Sequence, residues 1–91
     1  MNIEFDSSKN ERNLLERGIS FDRTRDFEFE TALFVIDDRQ DYGETRIRAF
    51  GMLGGRLHAL VFVETRSGIR VISLRKANVR EVKRYEQETE G

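Results

Sequence analysis

Hydrophobic and polar residues alternate most regularly in the central third of this chain. Three β-prone segments lie there, at residues 46–53, 56–64 and 69–76. Gly54 and Gly55 separate the first two segments, and a Gly-Gly pair suits a type I′ turn because both of its central residues need a positive φ. The pattern therefore predicts hairpin-connected antiparallel strands at the centre of the fold.

The glycine turn also predicts which side chains share a face of that sheet. If Leu53 pairs with Arg56, then Arg46 and Arg48 lie on one face, because directly opposite residues of antiparallel strands point to the same side. The apolar residues on that face, nearer the turn, are Phe50, Met52, Leu57 and Ala59.

The register of the last strand depends on a less regular loop, TRSG. If this loop pairs Glu64 with Ile69, then Arg70 joins the other two arginines and places three guanidinium groups at one corner of one face. Arg75 then lies on the opposite face, across from His58. Ile72 and Leu74 would share the face of Arg70. A slip of one residue would exchange the two faces of this strand.

Helices are predicted before and after the strands. Asp6 can cap a first helix that ends at about Arg17, because Gly18 supplies the left-handed residue typical of helix C-termini. Ser20 can cap a second, short helix, and a helical pattern returns after Lys76. The remaining β-prone segments are residues 2–5, a short strand or an extended lead-in, and residues 29–36. The patterns together predict an α+β fold: an antiparallel meander sheet of about four strands with two N-terminal helices and a C-terminal helix.

Length and composition narrow the class of protein. The 91 residues predict a single domain over 1–91, because a chain of this size cannot divide into two hydrophobic cores. The absence of cysteine excludes disulfide scaffolds, thiolate zinc sites and thiol catalysis. No apolar run approaches the roughly 18 residues of a membrane span, and the N-terminus lacks the apolar core of a signal peptide. These features predict a cytoplasmic protein without a membrane partner.

The net charge of −1 conceals an uneven distribution. Residues 1–45 hold six Lys/Arg and twelve Asp/Glu, for a net −6, whereas residues 46–91 hold ten and five, for a net +5. A basic half is typical of a surface that binds an anionic polymer. The alternative is the uneven charge distribution that short domains often have.

A series of short motifs runs in order along nearly the whole chain. The motifs are FDSSK followed by Asn13, RGISF at 17–21, Asp37 with Asp38, Glu44 with Arg46, Gly51, RVISLRKA at 70–77, and Glu81. In this order they resemble the BrnT family, ribonuclease toxins of bacterial type II toxin–antitoxin systems, and RVISLRKA is the most specific of them. One departure is Glu16-Arg17-Gly18, where the family commonly has Lys-His-Gly.

The resemblance implies a small RelE-like fold, with helices packed on an antiparallel sheet. It implies a toxin that cleaves RNA without a metal or another cofactor and so inhibits translation. It also implies a BrnA-type antitoxin that neutralises the toxin and forms a heterotetramer with it. Operator DNA would bind this complex and not the toxin alone. The alternative is a catalytically weakened homologue that serves as an antitoxin-binding co-repressor, because Glu16-Arg17 removes an imidazole.

Metal-free RNA cleavage needs a base for the 2′-hydroxyl, positive charge for the phosphate oxygens and an acid for the 5′-oxygen. Arginine meets the second need, because its fork matches phosphate geometry and stays charged. The candidate catalytic residues are Arg46, Arg70, Arg75 and Glu81. For Glu81, we favour a role in orienting Arg75 over a role as the base. For Arg46 and Arg48 the alternative is a surface ion pair with Glu44 or Asp41.

Further residues are candidates for RNA binding: Lys9, Asn13, Arg48, Lys76 and Tyr85. Lys9 and Asn13 could instead bridge the first helix to the sheet, and Tyr85 could close the core. His58, the sole imidazole, lies in the middle of a strand, which favours a packed or surface role over proton transfer.

Other site classes find little support in the sequence. Asp37, Asp38 and Asp41 lie in one polar loop without a histidine, which favours a solvated loop over a metal site. Direct DNA binding is the weakest alternative, because the cations lie mainly on strands and no helix-turn-helix pattern is visible.

Overall fold

The computed structural model describes residues 1–90 and contains strands, two α-helices and two short 3₁₀ helices. The strands are β1 (Asn2–Glu4), β2 (Leu33–Asp37), β3 (Arg46–Leu53), β4 (Arg56–Glu64) and β5 (Gly68–Lys76). The α-helices are α1 (Ser7–Arg17) and α2 (Val79–Glu90), and the 3₁₀ helices span Phe21–Asp26 and Phe29–Thr31. The α+β class is therefore as predicted.

The strands form one mixed sheet in the order β1-β5-β4-β3-β2. Strands β2 to β5 are the predicted antiparallel meander, but β1 adds a fifth strand that runs parallel to β5. The prediction of about four antiparallel strands was therefore wrong in number and direction. The sequence indicated a short strand or an extended lead-in at residues 2–5, but no local pattern predicts that it pairs with a segment more than sixty residues away.

The flanking elements begin and end largely where capping residues predict. Asp6 accepts a hydrogen bond from the Ser8 amide at 2.8 Å, and Gly18 ends α1 in the left-handed region with φ 71°. Ser20 caps the next element, which is a 3₁₀ helix rather than a second α-helix. The predicted β segment 29–36 is also 3₁₀ over its first three residues. No helix in residues 1–90 has the length and apolar character needed to cross a membrane.

The β3–β4 hairpin has the predicted turn and register. Gly54 and Gly55 adopt φ values of 59° and 78°, as a type I′ turn requires. The pairing runs from Leu53 opposite Arg56 to Ile47 opposite Phe62. The arginines of β3 therefore lie on the face that the glycine turn predicts.

A β-bulge changes the register between β4 and β5. Pairing begins as predicted, with Val63 opposite Arg70, but shifts by one residue between Val61 and Phe62. Beyond the shift Ala59 lies opposite Arg75, and the predicted pairing of His58 with Arg75 is wrong. The extra residue exchanges the faces of the second half of β5. Arg75 therefore shares a face with Arg70, and the two faces predicted for Arg75 and Leu74 are reversed.

The hydrophobic core lies on the other face of the sheet. Its buried strand residues are Ala49, Leu53, Leu60, Phe62, Ile69, Val71 and Leu74. The segment after α1 covers them with Ile19, Phe21 and Phe27. Leu74, opposite Leu60, is fully buried there, and this burial fixes the end of β5 in its shifted register.

Candidate functional site

The face opposite the core carries four arginines, at positions 46, 48, 70 and 75, and we call it the arginine face. Arg70 lies opposite Val63, Arg48 lies opposite Val61, and Arg75 lies opposite Ala59. These β4 positions are two residues apart, so the guanidinium groups follow one another along the sheet. The bulge in β5 is the reason that Arg75 belongs to this row.

Glu44 joins Arg46 and Arg70. One carboxylate oxygen accepts from Arg70 Nη2 at 2.6 Å and the other accepts from Arg46 Nε at 3.2 Å. The hydrogen bond from Arg70, followed by that from Arg46, holds the pKa of Glu44 below its usual value. Glu44 is thus a carboxylate that bridges two cations, and the ion pair considered as an alternative for Arg46 is present.

Arg75 is held by a bidentate ion pair with Glu81. Both N–H···O distances are 2.8 Å, and the side chains are only 29% and 16% exposed. The Glu81 carboxylate also accepts a hydrogen bond from the backbone N–H of Asn78 at 2.9 Å. In return, the backbone N–H of Glu81 donates to Asn78 Oδ1 at 2.8 Å. This reciprocal pair is a capping box at the start of α2. The helix cap therefore fixes the orientation of the Arg75 guanidinium.

The same ion pair controls two protonation states. The hydrogen bond from Arg75 is the largest cause of the lowered pKa of Glu81. The same hydrogen bond is the largest cause of the raised pKa of Arg75. A carboxylate with a lowered pKa and two occupied oxygens is a weak proton acceptor. The geometry therefore favours Glu81 as the group that orients Arg75.

Arg48 lies between these two ion pairs and has no carboxylate of its own within 4.0 Å in residues 1–90. Its guanidinium lies 5.9 Å from the centroid of the Phe50 ring, and its Nε atom is buried without a hydrogen-bond partner. It lines a pocket of about 110 Å³ together with Leu33, Phe50, Arg80, Glu81, Arg84 and Tyr85. An unpartnered buried guanidinium nitrogen costs free energy, and the missing carboxylate leaves the charge of Arg48 without a counter-ion.

A further ion pair, which the sequence did not predict, lies at the end of β2. Asp37 accepts two hydrogen bonds from Arg39, at 2.7 and 2.8 Å, and one from the Tyr42 hydroxyl at 3.3 Å. The Arg39 bonds are the largest cause of an Asp37 pKa lowered to about 2. Asp37 is buried, so the prediction that it belongs to a solvated loop was wrong. Arg46 lies 4.1 Å above the Tyr42 ring, which connects this network to the arginine face.

Two of the candidate RNA-binding residues, Lys9 and Asn13, lie away from the arginine face. Both line a separate depression beside α1 that also includes Ile72. The Asn13 amide donates to the carbonyl of Ile19 at 3.0 Å and to that of Leu74 at 2.8 Å. Asn13 thus bridges α1 to β5, which is the structural alternative considered for it.

The last two candidates have different environments. The Tyr85 hydroxyl donates to the Thr31 carbonyl at 2.9 Å, and its ring lines the Arg48 pocket. Tyr85 therefore attaches α2 to the segment before β2 and still faces the candidate site. Lys76 lies opposite His58 on the other face of the sheet. Both line a second depression near the hairpin turn.

The arginine face combines fixed guanidinium forks with one unsatisfied donor. Guanidinium groups bind phosphate oxygens in bidentate fashion and stabilise negative charge that develops on them. Sequence reasoning overlooked Arg39, and it gave Glu44 and Asp37 no part in the site. Their signal was the spacing, since each acidic residue adjoins a strand and has an arginine two residues later: Asp37 ends β2, and Glu44 lies just before β3.

Comparison with known proteins agrees with this architecture. A family model described as "Ribonuclease toxin, BrnT, of type II toxin-antitoxin system" matches residues 5–81. The crystal structure of the Brucella abortus ribonuclease toxin BrnT is similar to this chain, with a TM-score of 0.67 and 26% sequence identity. That alignment covers 86% of this chain and 97% of the other. No curated protein matches the chain. The chain belongs to the BrnT family of ribonuclease toxins of type II toxin–antitoxin systems.

Proposed function

We propose that this chain is a metal-independent endoribonuclease that inhibits translation by cleaving RNA on its arginine face. The observation that carries the proposal is the Arg48 guanidinium, which has no carboxylate partner within residues 1–90, lines a pocket, and lies on the same face as Arg70 and the oriented fork of Arg75. A phosphate group of the substrate would be the counter-ion that this guanidinium lacks.

The proposed reaction is attack of the 2′-hydroxyl oxygen on the adjacent phosphorus. The P–O2′ bond forms, the P–O5′ bond breaks, and the 2′-hydroxyl proton leaves as the 5′-oxygen gains one. Negative charge accumulates on the non-bridging oxygens, and Arg75 is oriented by Glu81 to stabilise it. Arg46 and Arg70 hold the neighbouring backbone. The products are a 2′,3′-cyclic phosphate and a 5′-hydroxyl.

Independence from metal is part of the proposal. Within residues 1–90, no three side chains of His, Cys, Asp or Glu lie close enough together to hold a metal ion. The positive charge around the proposed scissile phosphate would come from guanidinium groups instead. Cleavage of RNA by the purified protein should therefore continue in EDTA and leave cyclic phosphate ends. Loss of cleavage in EDTA, with recovery on addition of Mg²⁺, would contradict this part.

The main test compares arginine variants in cells and in vitro. Induction of the wild-type chain should stop growth and protein synthesis, whereas Arg75→Ala should not, because the transition-state charge loses its partner. Arg66→Ala is the matched control, since Arg66 is exposed in the β4–β5 loop and has no ion pair in residues 1–90. Circular dichroism and thermal unfolding establish that both variants fold. An Arg75→Ala variant that still arrests growth would overturn the proposal.

We also propose that a BrnA-type antitoxin neutralises the chain in a heterotetramer, and that operator DNA binds only through this complex. Membership in a type II toxin–antitoxin family supports the antitoxin. Phe34 and Ile36 on the edge strand β2 are 49% and 59% exposed, and such apolar exposure is typical of a protein-binding surface. Ile36→Lys should weaken antitoxin binding and leave RNA cleavage unchanged. Light scattering gives the stoichiometry, and gel shifts with and without antitoxin test the DNA claim.

A second candidate function is an antitoxin-binding co-repressor that no longer cleaves RNA. It is favoured by the fact that Arg46, Arg70 and Arg75 are each paired with a carboxylate. Glu16-Arg17 also stands where the resembling family commonly has Lys-His, but Arg17 lines the depression near the hairpin turn, on the face opposite the arginine face. This function predicts normal growth on induction, no RNA cleavage, and retained binding to the antitoxin. The same induction experiment therefore separates the two functions.

A further inference from the structure

A second cationic cluster lies at the hairpin end of the sheet, on the face opposite the arginine face. Arg17, Arg23, Arg56, His58 and Lys76 line an open depression of about 380 Å³, which we call the hairpin pocket. Its other lining residues are apolar or glycine, and no carboxylate is among them. Four permanent cations thus converge on one depression without a counter-charge in its wall.

Four separate elements bring these cations together. Arg17 ends α1, Arg23 belongs to the first 3₁₀ helix, and the other two are the first residue of β4 and the last residue of β5. Arg23 lies directly against the turn, since its Nη2 is 3.2 Å from where a Cβ on Gly54 would lie. The arrangement therefore belongs to the tertiary fold and not to one basic segment.

The cations of the hairpin pocket are nearly free of ion pairs. Within residues 1–90, only Arg23 has a carboxylate within 4.0 Å, and that partner, Asp26, lies at the 4.0 Å limit and is exposed. Like charges repel, so gathering these cations costs free energy until an anion arrives. A phosphate group supplies that anion.

His58 is buried in the wall of this pocket and reports its electrostatics. Its Nδ1 lies 2.7 Å from the Arg56 carbonyl oxygen, which can only accept, so Nδ1 carries the hydrogen and Nε2 is the site that titrates. Burial lowers the pKa of His58, and the charges of Arg23, Arg56 and Lys76 lower it further. A bound anion would oppose those charges.

We propose that the hairpin pocket binds a phosphate group of the RNA strand at a position away from the scissile phosphate. The identity of the ligand rests on the proposed function. Lys76 directly follows Arg75 on β5, and successive strand residues point to opposite faces. The pocket and the arginine face therefore lie on opposite sides of the end of this strand, and one RNA backbone that passes around this end would contact both. The pocket attracts the RNA and fixes its position relative to the arginine face, but it takes no part in the cleavage step.

The first test uses the single histidine of the chain as a reporter. Protein with ¹³C-labelled histidine is titrated with pH by NMR, with and without a saturating 2′-O-methyl RNA oligonucleotide that cannot be cleaved. The RNA should raise the pKa of His58 by about one, because a phosphate close to the ring favours the imidazolium. An unchanged His58 pKa with RNA bound would overturn the proposal. Inorganic phosphate serves as the small probe and should move the same signal.

The second test measures how the affinity for the same RNA depends on salt. Arg56→Ala and Lys76→Ala should each weaken binding and make the slope of log Kd against log salt shallower by about 0.7, the value for one phosphate contact on a single strand. Arg66→Ala, at the opposite end of β4, is the control and should leave the slope unchanged. Equal losses in all three variants would mean that only general charge matters, which would contradict the pocket.

These results separate the failure of this proposal from failure of the proposed function. RNA cleavage that requires Arg75, with no response at His58, would refute the hairpin pocket alone. A His58 response without RNA cleavage would refute the nuclease and retain a phosphate-binding surface. Arg56→Ala leaves the backbone carbonyl in place, so the His58 tautomer is the same in variant and wild type.

Discussion

The arginine face and the hairpin pocket are both cationic, yet their charges are arranged in opposite ways. On the arginine face, Glu44 and Glu81 pair with three arginines at 2.6 to 3.2 Å. In the hairpin pocket no carboxylate lines the wall. Paired guanidinium groups lose much of their long-range field but gain a fixed direction, whereas unpaired cations keep their field and move freely.

The difference indicates a division of labour between orientation and attraction. In the proposed cleavage, transition-state stabilisation requires donors that already point at the developing charge, and we assign this role to Arg75, which Glu81 orients. Capture of a polyanion requires only positive potential, which Arg56 and Lys76 provide. The two regions should therefore respond differently to substitutions that keep the charge but change its geometry.

The largest expected effect comes from replacing arginine by lysine in each region. Arg75→Lys keeps the charge but loses the bidentate fork to Glu81, so we expect RNA cleavage to fall on the order of 10²-fold. Arg56→Lys keeps a point charge in a region that needs no fork, so cleavage and affinity should change by no more than about twofold. Single-turnover cleavage rates and RNA binding measure both variants. Equal losses of cleavage in the two variants would contradict the proposed difference between the arginine face and the hairpin pocket.

The next largest effect concerns Asp37, a buried carboxylate that pairs with the exposed Arg39 beside the arginine face. Asp37→Asn weakens the hydrogen bonds to Arg39 and Tyr42, so the free energy of unfolding should fall by about 1–3 kcal/mol. Asp38→Asn is the matched control, because Asp38 is the exposed neighbour without an ion pair in residues 1–90. Urea unfolding at pH 7 measures both variants. An equal loss at Asp38 would point to backbone propensity instead of the buried carboxylate.

The same carboxylate gives the stability a dependence on pH. The folded pKa of Asp37 is lowered from 3.8 to about 2, so its contribution is fully present above pH 3.8 and is lost as the pH falls through about 2. The lowered pKa values of Glu44 and Glu81 act in the same direction. The difference between wild type and Asp37→Asn should therefore be constant from pH 7 to 5 and shrink below pH 4. A constant difference down to pH 2 would contradict the assignment.

Local rules predicted the elements whose causes are local. The Gly54-Gly55 turn fixed the β3–β4 register, and Asp6 and Gly18 fixed the ends of α1. These features depend on a few neighbouring residues and on backbone conformations that glycine adopts easily. The pairing of the short strand β1 has no such local cause, because its partner, residues 68–70, lies more than sixty residues away in the sequence.

The bulge in β5 had a sequence signal that simple alternation misses. Val71 and Leu74 are both buried in the core although they are three positions apart, and an unbroken strand places such residues on opposite faces. One inserted residue lets both reach the core. The same insertion moves Arg75 to the arginine face, where we propose that RNA is cleaved. Tertiary packing, and not the periodicity of the sequence, therefore determines the face on which Arg75 lies.

Residue type alone also fails to separate structural from site positions. Asn13 matched a family motif, yet its amide satisfies two backbone carbonyls between α1 and β5. Lys76 follows Arg75 directly but lies on the other face with His58. Which polar side chains meet depends on the fold of the loops between the strands, and those conformations leave no periodic pattern.

The smallest expected effect comes from converting part of the arginine face into an unpaired region. Glu44→Gln removes the carboxylate that bridges Arg46 and Arg70. The substitution frees both guanidinium groups and makes the net charge of the protein more positive by one. RNA binding should become tighter and more salt-dependent, with a slope steeper by about 0.7. The cleavage rate at saturating RNA should fall a few-fold, because the freed side chains lose their direction.

A charge-matched control separates these two consequences of Glu44→Gln. Glu64→Gln changes the net charge equally, but Glu64 is exposed at the end of β4 and has no ion pair in residues 1–90. It should tighten RNA binding less than Glu44→Gln and leave the cleavage rate unchanged, because no guanidinium depends on it for orientation. If both variants bind RNA more tightly and neither cleaves more slowly, the carboxylates of the arginine face only reduce its charge. A slower Glu44→Gln alone would mean that they position the guanidinium groups for cleavage.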